Sequence, residues 1–347
     1  FLKMKNILVT GGAGFIGSHT AVSLIESGYN PIVVDDFRNA DRGVLEGIKK
    51  ITGKDLLVYE IDACNQVQMN EVFKKHDFSG VIHFAAYKAV GESVDFPLMY
   101  YKNNLSSLIS VLDCMKENNV HELVFSSSCT VYGEPQDVKE VTEDSPKVEA
   151  NSPYGNTKCI SEEIISDFAN SWPSLKAINL RYFNPVGAHP SGFIGEFPIG
   201  KPNNLLPYLT QTAIGRLESL TVFGNDYPTK DGTCIRDYIH VVDLANAHVK
   251  AISFLGNQAH SCCEVVNVGT GKGTSVLELI NLFVSKTGQD LNWSYGPRRS
   301  GDVTEIFANV SKAKKTLSWE ATYSIEDALE HAWQWEKNIN KRTNHVN

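Results

Sequence analysis

A tyrosine and a lysine, Tyr154 and Lys158, stand four residues apart directly after Pro153. Proline is favoured in the first turn of a helix, so we predict a helix that begins here and carries both side chains on one face. An ammonium group beside a phenol stabilises the phenolate, so the pair predicts a lowered pKa for Tyr154 and an acid–base role for it. About 0.9 matches to this spacing are expected by chance, so the pair depends on its surroundings for support.

Three serines, Ser126, Ser127 and Ser128, close the apolar run ELVFSSS about 25 residues before that tyrosine. The run predicts a strand, and open α/β sheets bind their ligands at the carboxyl ends of the strands. A serine at this edge can donate a hydrogen bond to a substrate hydroxyl as it becomes a ketone.

A glycine-rich loop, TGGAGFIGSHT, follows the first apolar run of the chain. It contains Gly12-x-Gly14-x-x-Gly17 and the overlapping Gly11-x-x-Gly14-x-x-Gly17. Between a strand and a helix, such glycines allow a tight turn and let a pyrophosphate approach the free N–H groups of the helix. The alternative is a glycine-rich helix start without a ligand.

Acidic residues end the next two apolar runs. Asp35 comes 18 residues after Gly17, where a carboxylate accepts from ribose hydroxyls and repels a 2′-phosphate, so NAD is favoured over NADP. Asp36 is the neighbouring candidate for this role, and Arg38 weakens the preference. Asp62 is predicted either to lie beside the edge of the adenine ring of the dinucleotide or to cap the following helix.

The first part of the chain alternates short apolar runs with longer mixed segments, a pattern typical of a doubly wound parallel sheet covered by helices on both faces. We predict a Rossmann-type α/β fold with a second, smaller α/β substrate domain. Residues 1–184 are predicted to bind the dinucleotide, with a strand and helix near 236–256 returning to that domain, and residues 185–347 to bind substrate. A helix is predicted over 325–339. The six predicted strands are 6–10, 30–36, 56–62, 80–86, 122–128 and 176–182.

Composition excludes several classes of protein. The net charge of −8 argues against a nucleic-acid binder or a basic membrane-surface protein, and 42% apolar residues suffice for a globular core. No apolar run is long enough for a signal peptide or a membrane span. Seven cysteines without a CxxC spacing predict free thiols in a reducing cytoplasm and no metal site.

Six strings carry a resemblance to a known family: TGGAGFIG, HFAA, SSSCTVYG, SPYGNTK, RYFNPVGAHPSG and NDYPTKDGTCIRDYIH. From Met4 onward, nearly the whole chain resembles the extended short-chain dehydrogenases and, among them, the UDP-glucose 4-epimerase family. The resemblance implies that UDP-galactose and UDP-glucose are interconverted at sugar carbon 4 through a 4-keto intermediate. It also implies tightly bound NAD as transient hydride acceptor, a homodimer formed through helices of the first domain, and no nucleic-acid or membrane partner.

By matching motif, the resemblance assigns roles to individual residues. It makes Ser128 the serine that hydrogen-bonds substrate, Tyr154 the acid–base and Lys158 the partner that also holds the nicotinamide ribose. The implied cofactor contacts are Gly11, Gly14, Phe15, Ile16, Gly17, Asp35, Asp36, Asn39, Asp62, Ala63, Phe84, Ala85, Ala86, Lys88, Asn103, Tyr154, Lys158 and Phe183. The implied substrate contacts are Lys88, Ser128, Tyr154, Asn184, Asn204, Leu205, Phe223, Arg236, Arg299 and Asp302.

Three of these assignments also have physical support. The guanidinium groups of Arg236 and Arg299 can fork onto a diphosphate, and Asp302 can accept from ribose hydroxyls. For either arginine alone, a solvated salt bridge is the alternative. The position four after Asp302, tied in the family to N-acetylated sugars, is Ile306, which leaves acceptance of UDP-N-acetylhexosamines open.

Two rival functions share this fold. Nucleotide-sugar 4,6-dehydratases use an acid and a base in the serine strand, but the corresponding residues here are Cys129 and Thr130, which cannot eliminate water. An NAD-sensing regulator typically lacks part of the Ser–Tyr–Lys set, which is intact here.

Overall fold

The computed structural model describes residues 4–135, 139–299 and 301–344, so the three positions that precede Met4 lie outside the described residues. The strands are β1 (Asn6–Thr10), β2 (Asn30–Asp35), β3 (Leu57–Glu60), β4 (Phe78–His83), β5 (Glu122–Ser126), β6 (Glu140–Val141), β7 (Lys176–Tyr182), β8 (Asn184–Val186), β9 (Leu220–Phe223), β10 (Ile235–Arg236), β11 (Tyr238–His240), β12 (Cys262–Val268), β13 (Thr274–Ser275), β14 (Trp293–Gly296) and β15 (Glu305–Ala308). The helices are α1 (Phe15–Glu26), α2 (Gly43–Thr52), α3 (Gln66–Lys75), α4 (Val90–Asp95), α5 (Pro97–Glu117), α6 (Pro153–Ser171), α7 (Leu205–Ala213), α8 (Val241–Gly256), α9 (Val276–Thr287), α10 (Ser311–Leu317) and α11 (Ile325–Asn344).

Seven parallel strands form the main sheet in the order β12-β7-β5-β4-β1-β2-β3. Successive side chains of a strand point to opposite faces, and both faces are apolar here. Val9 packs with α1 and α8 on one face, whereas Leu8 packs with α3 and α5 on the other. The predicted Rossmann-type fold is therefore confirmed.

The six predicted strands are present, and a seventh, β12, was not predicted. It pairs with β7 at the edge of the sheet, from Cys262 opposite Lys176 to Val268 opposite Tyr182. Its first half is only partly buried, and Glu264 forms an ion pair of 2.9 Å with Lys312. Because this half lacks a continuous apolar run, its sequence gave no strand signal.

The chain near 236–256 was predicted to return to the first domain as a strand and a helix. The helix α8 does so, because it packs against α1 and the main sheet. The strand does not: β10 pairs with β13 and β15, and β11 pairs with β8, in small sheets outside the main one.

A second lobe forms around an apolar cluster to which α7, α9 and α11 contribute Leu209, Phe283 and Leu329, whereas α10 packs against α8 and β12 of the first lobe. The predicted C-terminal helix is present and is five residues longer than predicted, as α11. Across the ranges that the structure describes, no helix is both long and apolar enough to cross a bilayer.

Strand order reverses between β1 and β4, and the crevice at the carboxyl ends of such strands is where ligands bind in this fold. The fold thus places the glycine loop, the serines after β5 and the start of α6 along one edge of the sheet.

Candidate active site

A cavity of about 600 Å³ opens along this edge. Both the glycine loop and the Tyr154–Lys158 pair contribute to its wall, so the structure brings the two predicted motifs together. The predicted cofactor contacts that line it are Gly11, Gly14, Phe15, Ile16, Gly17, Asp35, Asp36, Asn39, Asp62, Ala63, Phe84, Ala85, Ala86, Lys88, Asn103, Tyr154 and Lys158.

The glycine loop is packed too closely for side chains. Gly11 has a φ of 68°, in the region that favours glycine. A Cβ added to Gly17 would lie 2.2 Å from the carbonyl oxygen of Gly11. No side chain caps the start of α1 at Gly14, so the N–H groups of the first turn face the cavity. This cradle fits a dinucleotide pyrophosphate.

Asp35 is fixed by the backbone at the end of β2. Its two carboxylate oxygens accept from the N–H groups of Ala13 and Phe37, each at 2.9 Å. Burial raises the pKa of Asp35 above its ordinary value, and these backbone donors oppose that rise. The carboxylate is therefore pre-positioned to accept from ribose hydroxyls.

Arg38 lies at the end of the cavity that Asp35 and Asp62 also line. It donates to Asp36 at 2.7 Å, to the hydroxyl of Tyr87 at 2.8 Å, and to Asp62. Asp62 is not the cap of the following helix, because Asn65 caps α3 by accepting from the N–H of Gln68. Sequence reasoning missed Tyr87, whose partner lies 49 residues away.

The predicted helix that carries the reactive pair is confirmed as α6. Pro153 lies in its first turn, and the side chain of Ser152 caps it by accepting from the N–H of Gly155 at 3.1 Å. Tyr154 and Lys158 are both buried. The Nζ of Lys158 donates to the carbonyl oxygen of Ser126 at 2.6 Å and lies 5.8 Å from the centre of the Tyr154 ring.

The predicted fall in the pKa of Tyr154 is wrong for this structure. Burial raises the pKa of Tyr154 above its ordinary value, and a hydrogen bond with Ser128 offsets only part of the rise. Burial also lowers the pKa of Lys158 to about 8, while Glu162 raises it. The sequence pattern could not reveal how much desolvation outweighs the attraction between ammonium and phenolate.

Ser128 lies beside the tyrosine rather than in the cavity wall. Its side chain is buried, and its Oγ accepts from the N–H of Thr130 at 3.2 Å. Tyr182 also lines the cavity, and its hydroxyl hydrogen-bonds Ser126 Oγ at 2.5 Å. Burial raises the pKa of Tyr182 to about 12, so this second phenol stays neutral.

A second cluster of predicted substrate residues lies in the other lobe. Arg299 Nη2 is 2.7 Å from Asp302 Oδ1, and Arg236 Nη2 is 3.6 Å from the same oxygen. The guanidinium carbon of Arg299 lies 5.6 Å from the ring centre of Phe223. The side chain of Arg236 is only 13% exposed, whereas that of Arg299 is 52% exposed. The alternative of a solvated surface salt bridge therefore fits Arg299 but not Arg236.

Glu196, which sequence reasoning missed, joins the two lobes. Its Oε1 accepts from the Nζ of Lys88 at 3.2 Å and from the Nδ2 of Asn204 at 2.6 Å. All three residues line the cavity. Leu205 begins α7 directly after Asn204. The only sequence signal for Glu196 was its place as a lone acid in a segment rich in glycine and proline.

Two predicted contacts lie behind the cavity wall. Phe183 is buried in an apolar cluster that includes Tyr132 and Ile306. The N–H of Asn184 donates to the carbonyl of Asp237 at 2.9 Å, where β8 meets β11. The side chain of Ile306 therefore packs against apolar groups rather than lining the large cavity.

Cys129 lies beside the reactive pair. Burial raises the pKa of its thiol to about 12, so it remains protonated and cannot act as a base near neutral pH. Within the described residues, no group of three or more side chains converges as a metal site.

Comparison with known proteins gives a consistent result. Residues 8–332 match the family model described as GDP-mannose 4,6 dehydratase. The UDP-glucose 4-epimerase of Bacillus subtilis is 49% identical over 335 residues, covering 96% of this chain and 98% of that protein. The UDP-glucose 4-epimerase of Schizosaccharomyces pombe is 48% identical over 334 residues, covering 95% of this chain and 94% of that protein. The crystal structure of UDP-glucose 4-epimerase from Bifidobacterium longum, in complex with NAD+ and UDP, has a TM-score of 0.93 at 44% identity and covers 97% of this chain and 99% of that one.

Replacement of Gly17 by alanine tests the cradle. We expect Gly17→Ala to lower the free energy of unfolding by about 2 kcal/mol, because the new methyl group meets backbone atoms that cannot rotate away. Retention of dinucleotide through purification should be lost. Both are measured by urea unfolding and by absorbance of nucleotide released on denaturation.

Gly91→Ala is the matched control, since Gly91 is also helical and has open space around its position. It should keep its nucleotide and be as stable as the parent protein. Equal behaviour of the two variants would contradict the close packing of the loop.

Proposed function

The chain belongs to the UDP-glucose 4-epimerase family of extended short-chain dehydrogenases, and from that premise we propose how its own residues perform the reaction. It interconverts UDP-galactose and UDP-glucose at sugar carbon 4 through a 4-keto intermediate, and it uses NAD. The observation that carries the proposal is that Tyr154 and Lys158 open onto the same cavity as the glycine loop. The arginine cluster of the second lobe supplies separate anchors for a nucleotide.

The proposed division of labour follows the two lobes, with residues 1–184 holding the dinucleotide and residues 185–347 holding the UDP-sugar. In the first lobe, the N–H groups before Gly17 hold the pyrophosphate, Asp35 accepts from the adenosine ribose and Lys158 holds the nicotinamide ribose. The chemistry that NAD supplies when bound is reversible acceptance of a hydride at its nicotinamide ring.

Tyr154 moves the proton. Its oxygen, as the phenolate, takes the proton of the sugar 4-hydroxyl and later returns it, so there is no net change in protonation. Because burial disfavours the phenolate, this transfer needs a cation close to the ring, and Lys158 is placed to supply it. Ser128, hydrogen-bonded to Tyr154, donates to the substrate oxygen as it becomes a carbonyl.

Arg236 and Arg299 anchor the diphosphate. Both now face Asp302, and a diphosphate offers the same arginines oxygens of higher charge. The exposed ring of Phe223 offers a face to the uracil, and Asn204 and Leu205 at the start of α7 complete the nucleotide side. With UDP held there, the 4-keto sugar can turn over, so that hydride returns to the opposite face of carbon 4.

The family model that matches this chain is named for a 4,6-dehydratase, but the chain lacks the acid and base that a dehydratase needs. Elimination of water needs an acid and a base near the sugar, and here the candidates are a thiol whose pKa is about 12 and Thr130. Formation of UDP-glucose from UDP-galactose therefore separates the two functions.

The partner of this chain is proposed to be a second copy of itself. Apolar side chains on α4, on α5 and on the single residue between them are exposed, among them Val94, Phe96 and Leu98, the last at 81%. An apolar patch of this kind on two adjoining helices is typical of an interface.

We propose that the protein is located in a reducing cytoplasm, because all seven cysteines are free. Cell fractionation checks this.

The direct test incubates purified protein with UDP-galactose, without added cofactor, and measures UDP-glucose. We expect Tyr154→Phe to lower kcat by at least about 10²-fold, the usual contribution of a positioned acid–base group. The variant should still carry NAD, which serves as the control for folding. A rate near that of the parent protein would remove Tyr154 from its role.

The same assay with UDP-N-acetylgalactosamine decides whether N-acetylated sugars are accepted.

Arg299→Ala tests the diphosphate anchor. We expect KM for UDP-galactose to rise about 10-fold or more, because charge-assisted hydrogen bonds to the diphosphate are lost, with kcat changed far less. The adjacent Arg298 pairs instead with Asp226 at 2.8 Å, so Arg298→Ala should leave KM unchanged. Equal KM values for the two variants would contradict the anchor.

Leu98→Glu tests the interface. A charge in the apolar patch should convert a dimer to monomer in sedimentation velocity. Val67→Glu is the control, because Val67 on α3 is similarly exposed, at 72%, but lies outside the patch. Monomeric parent protein at micromolar concentration would contradict the proposed homodimer.

A further inference from the structure

A buried polar network lies directly behind the reactive side chains. Its centre is Glu162 on α6, four residues after Lys158 and eight after Tyr154, so the three share one face of the helix. The carboxylate is buried, and it accepts from the Oγ of Ser127 at 2.6 Å. Glu162 does not line the cavity and lies outside every site assigned above.

Arg181 on β7 completes this centre. Its Nε and Nη2 donate to the two oxygens of Glu162 at 2.9 and 2.7 Å, a bidentate arrangement. Its Nη1 donates to the hydroxyl of Tyr132 at 3.0 Å, and that hydroxyl donates to Asn267 Oδ1 at 2.6 Å. Lys147 reaches Glu162 from the surface at 2.7 Å. The buried guanidinium and carboxylate are therefore fully partnered.

This network fixes the end of β5 from two sides. Ser127 is held by Glu162, and the neighbouring Ser126 is held by Tyr182, which follows Arg181 on β7. The carbonyl oxygen of Ser126 is the acceptor for Lys158. Any shift of Ser127 therefore moves the lysine's acceptor and the next residue, Ser128.

The charge of Glu162 also acts on Lys158. Burial lowers the pKa of Lys158 to about 8, and Glu162 opposes this fall. The other titratable groups around Lys158 are neutral near pH 7: His83 on β4 has its pKa lowered to about 3 by burial, and burial raises the pKa of both Tyr154 and Tyr182. Arg181 lies beyond Glu162 and is paired with it.

A buried ion pair is weak evidence for stability, since well-packed apolar residues often serve as well. The position of this one, between the serine strand and the reactive helix, points to another use. We propose that Glu162, supported by Arg181, is a positioning residue for the epimerisation: it fixes the end of β5 through Ser127, and its carboxylate is the counter-charge for Lys158 one turn earlier on α6. This inference rests on the proposed roles of Tyr154 and Lys158.

Glu162→Gln tests the charge. Glutamine keeps the shape and an acceptor for Ser127 but removes the negative charge, so Lys158 loses its proton at lower pH. We expect the basic limb of the profile of kcat against pH to move to lower pH. At pH 8.5, kcat should fall about 10-fold, with KM for UDP-galactose within about twofold.

Lys147→Ala is the control, because it removes the surface ion pair and leaves the buried groups in place. Its pH profile should match that of the parent protein. Ser127→Ala isolates the other role: it should lower kcat by about threefold or more without moving the basic limb.

Loss of the charged partner leaves Arg181 buried and unpaired, which can prevent folding. The double variant Glu162→Gln with Arg181→Met removes that charge and should shift the basic limb in the same direction, by a smaller amount. The proposal is overturned if the basic limb does not move in either variant, or if Ser127→Ala has the kcat of the parent protein. Should neither charge variant fold, Ser127→Ala decides alone.

Tyr154→Phe is measured in parallel. Full activity of that variant would overturn the proposed function, whereas an inactive Tyr154→Phe together with an unshifted Glu162→Gln would overturn only the role of Glu162.

Discussion

The burial of Lys158 is the constraint on which the site depends. The free-energy cost of removing an ammonium group from water must be offset by hydrogen bonds and opposite charge. The chain supplies both, with the carbonyl of Ser126 at 2.6 Å and the carboxylate of Glu162 one turn further along α6. Each of these requires β5, α6 and β7 to keep their relative positions. The same burial that concentrates the charge beside Tyr154 also disfavours its phenolate, so the two groups must be considered together.

Much of the fold could be predicted from sequence because it depends on local signals. Short apolar runs marked six of the seven strands of the main sheet, and Pro153 marked the start of α6. The strand β12 could not be predicted, since an edge strand needs little burial and its first half is partly polar. Where the strand near 236 would pair was also not readable, because pairing depends on chain segments far away in sequence.

The candidate site likewise has features that the sequence could predict and features that it could not. Residues of the glycine loop and strand ends were placed together because the fold itself collects them at one edge. Glu196 and Arg38 were not recognised as bridging residues, since their contacts join positions as far as 108 residues apart. The predicted direction of the pKa shift of Tyr154 was wrong for another reason: sequence spacing shows which charges are neighbours, but not how much water has been removed from around them.

The path of the chain has a consequence for the independence of the two lobes. After the strands β8 to β11, the chain returns to the main sheet with α8 and β12. It then crosses to the second lobe with α9, returns to the first lobe with α10 and ends in the second lobe with α11. No single cut can therefore separate two self-sufficient pieces. A fragment that stopped before α8 would leave β7 as an open, apolar edge available to other chains, so we expect the two lobes to fold as one unit.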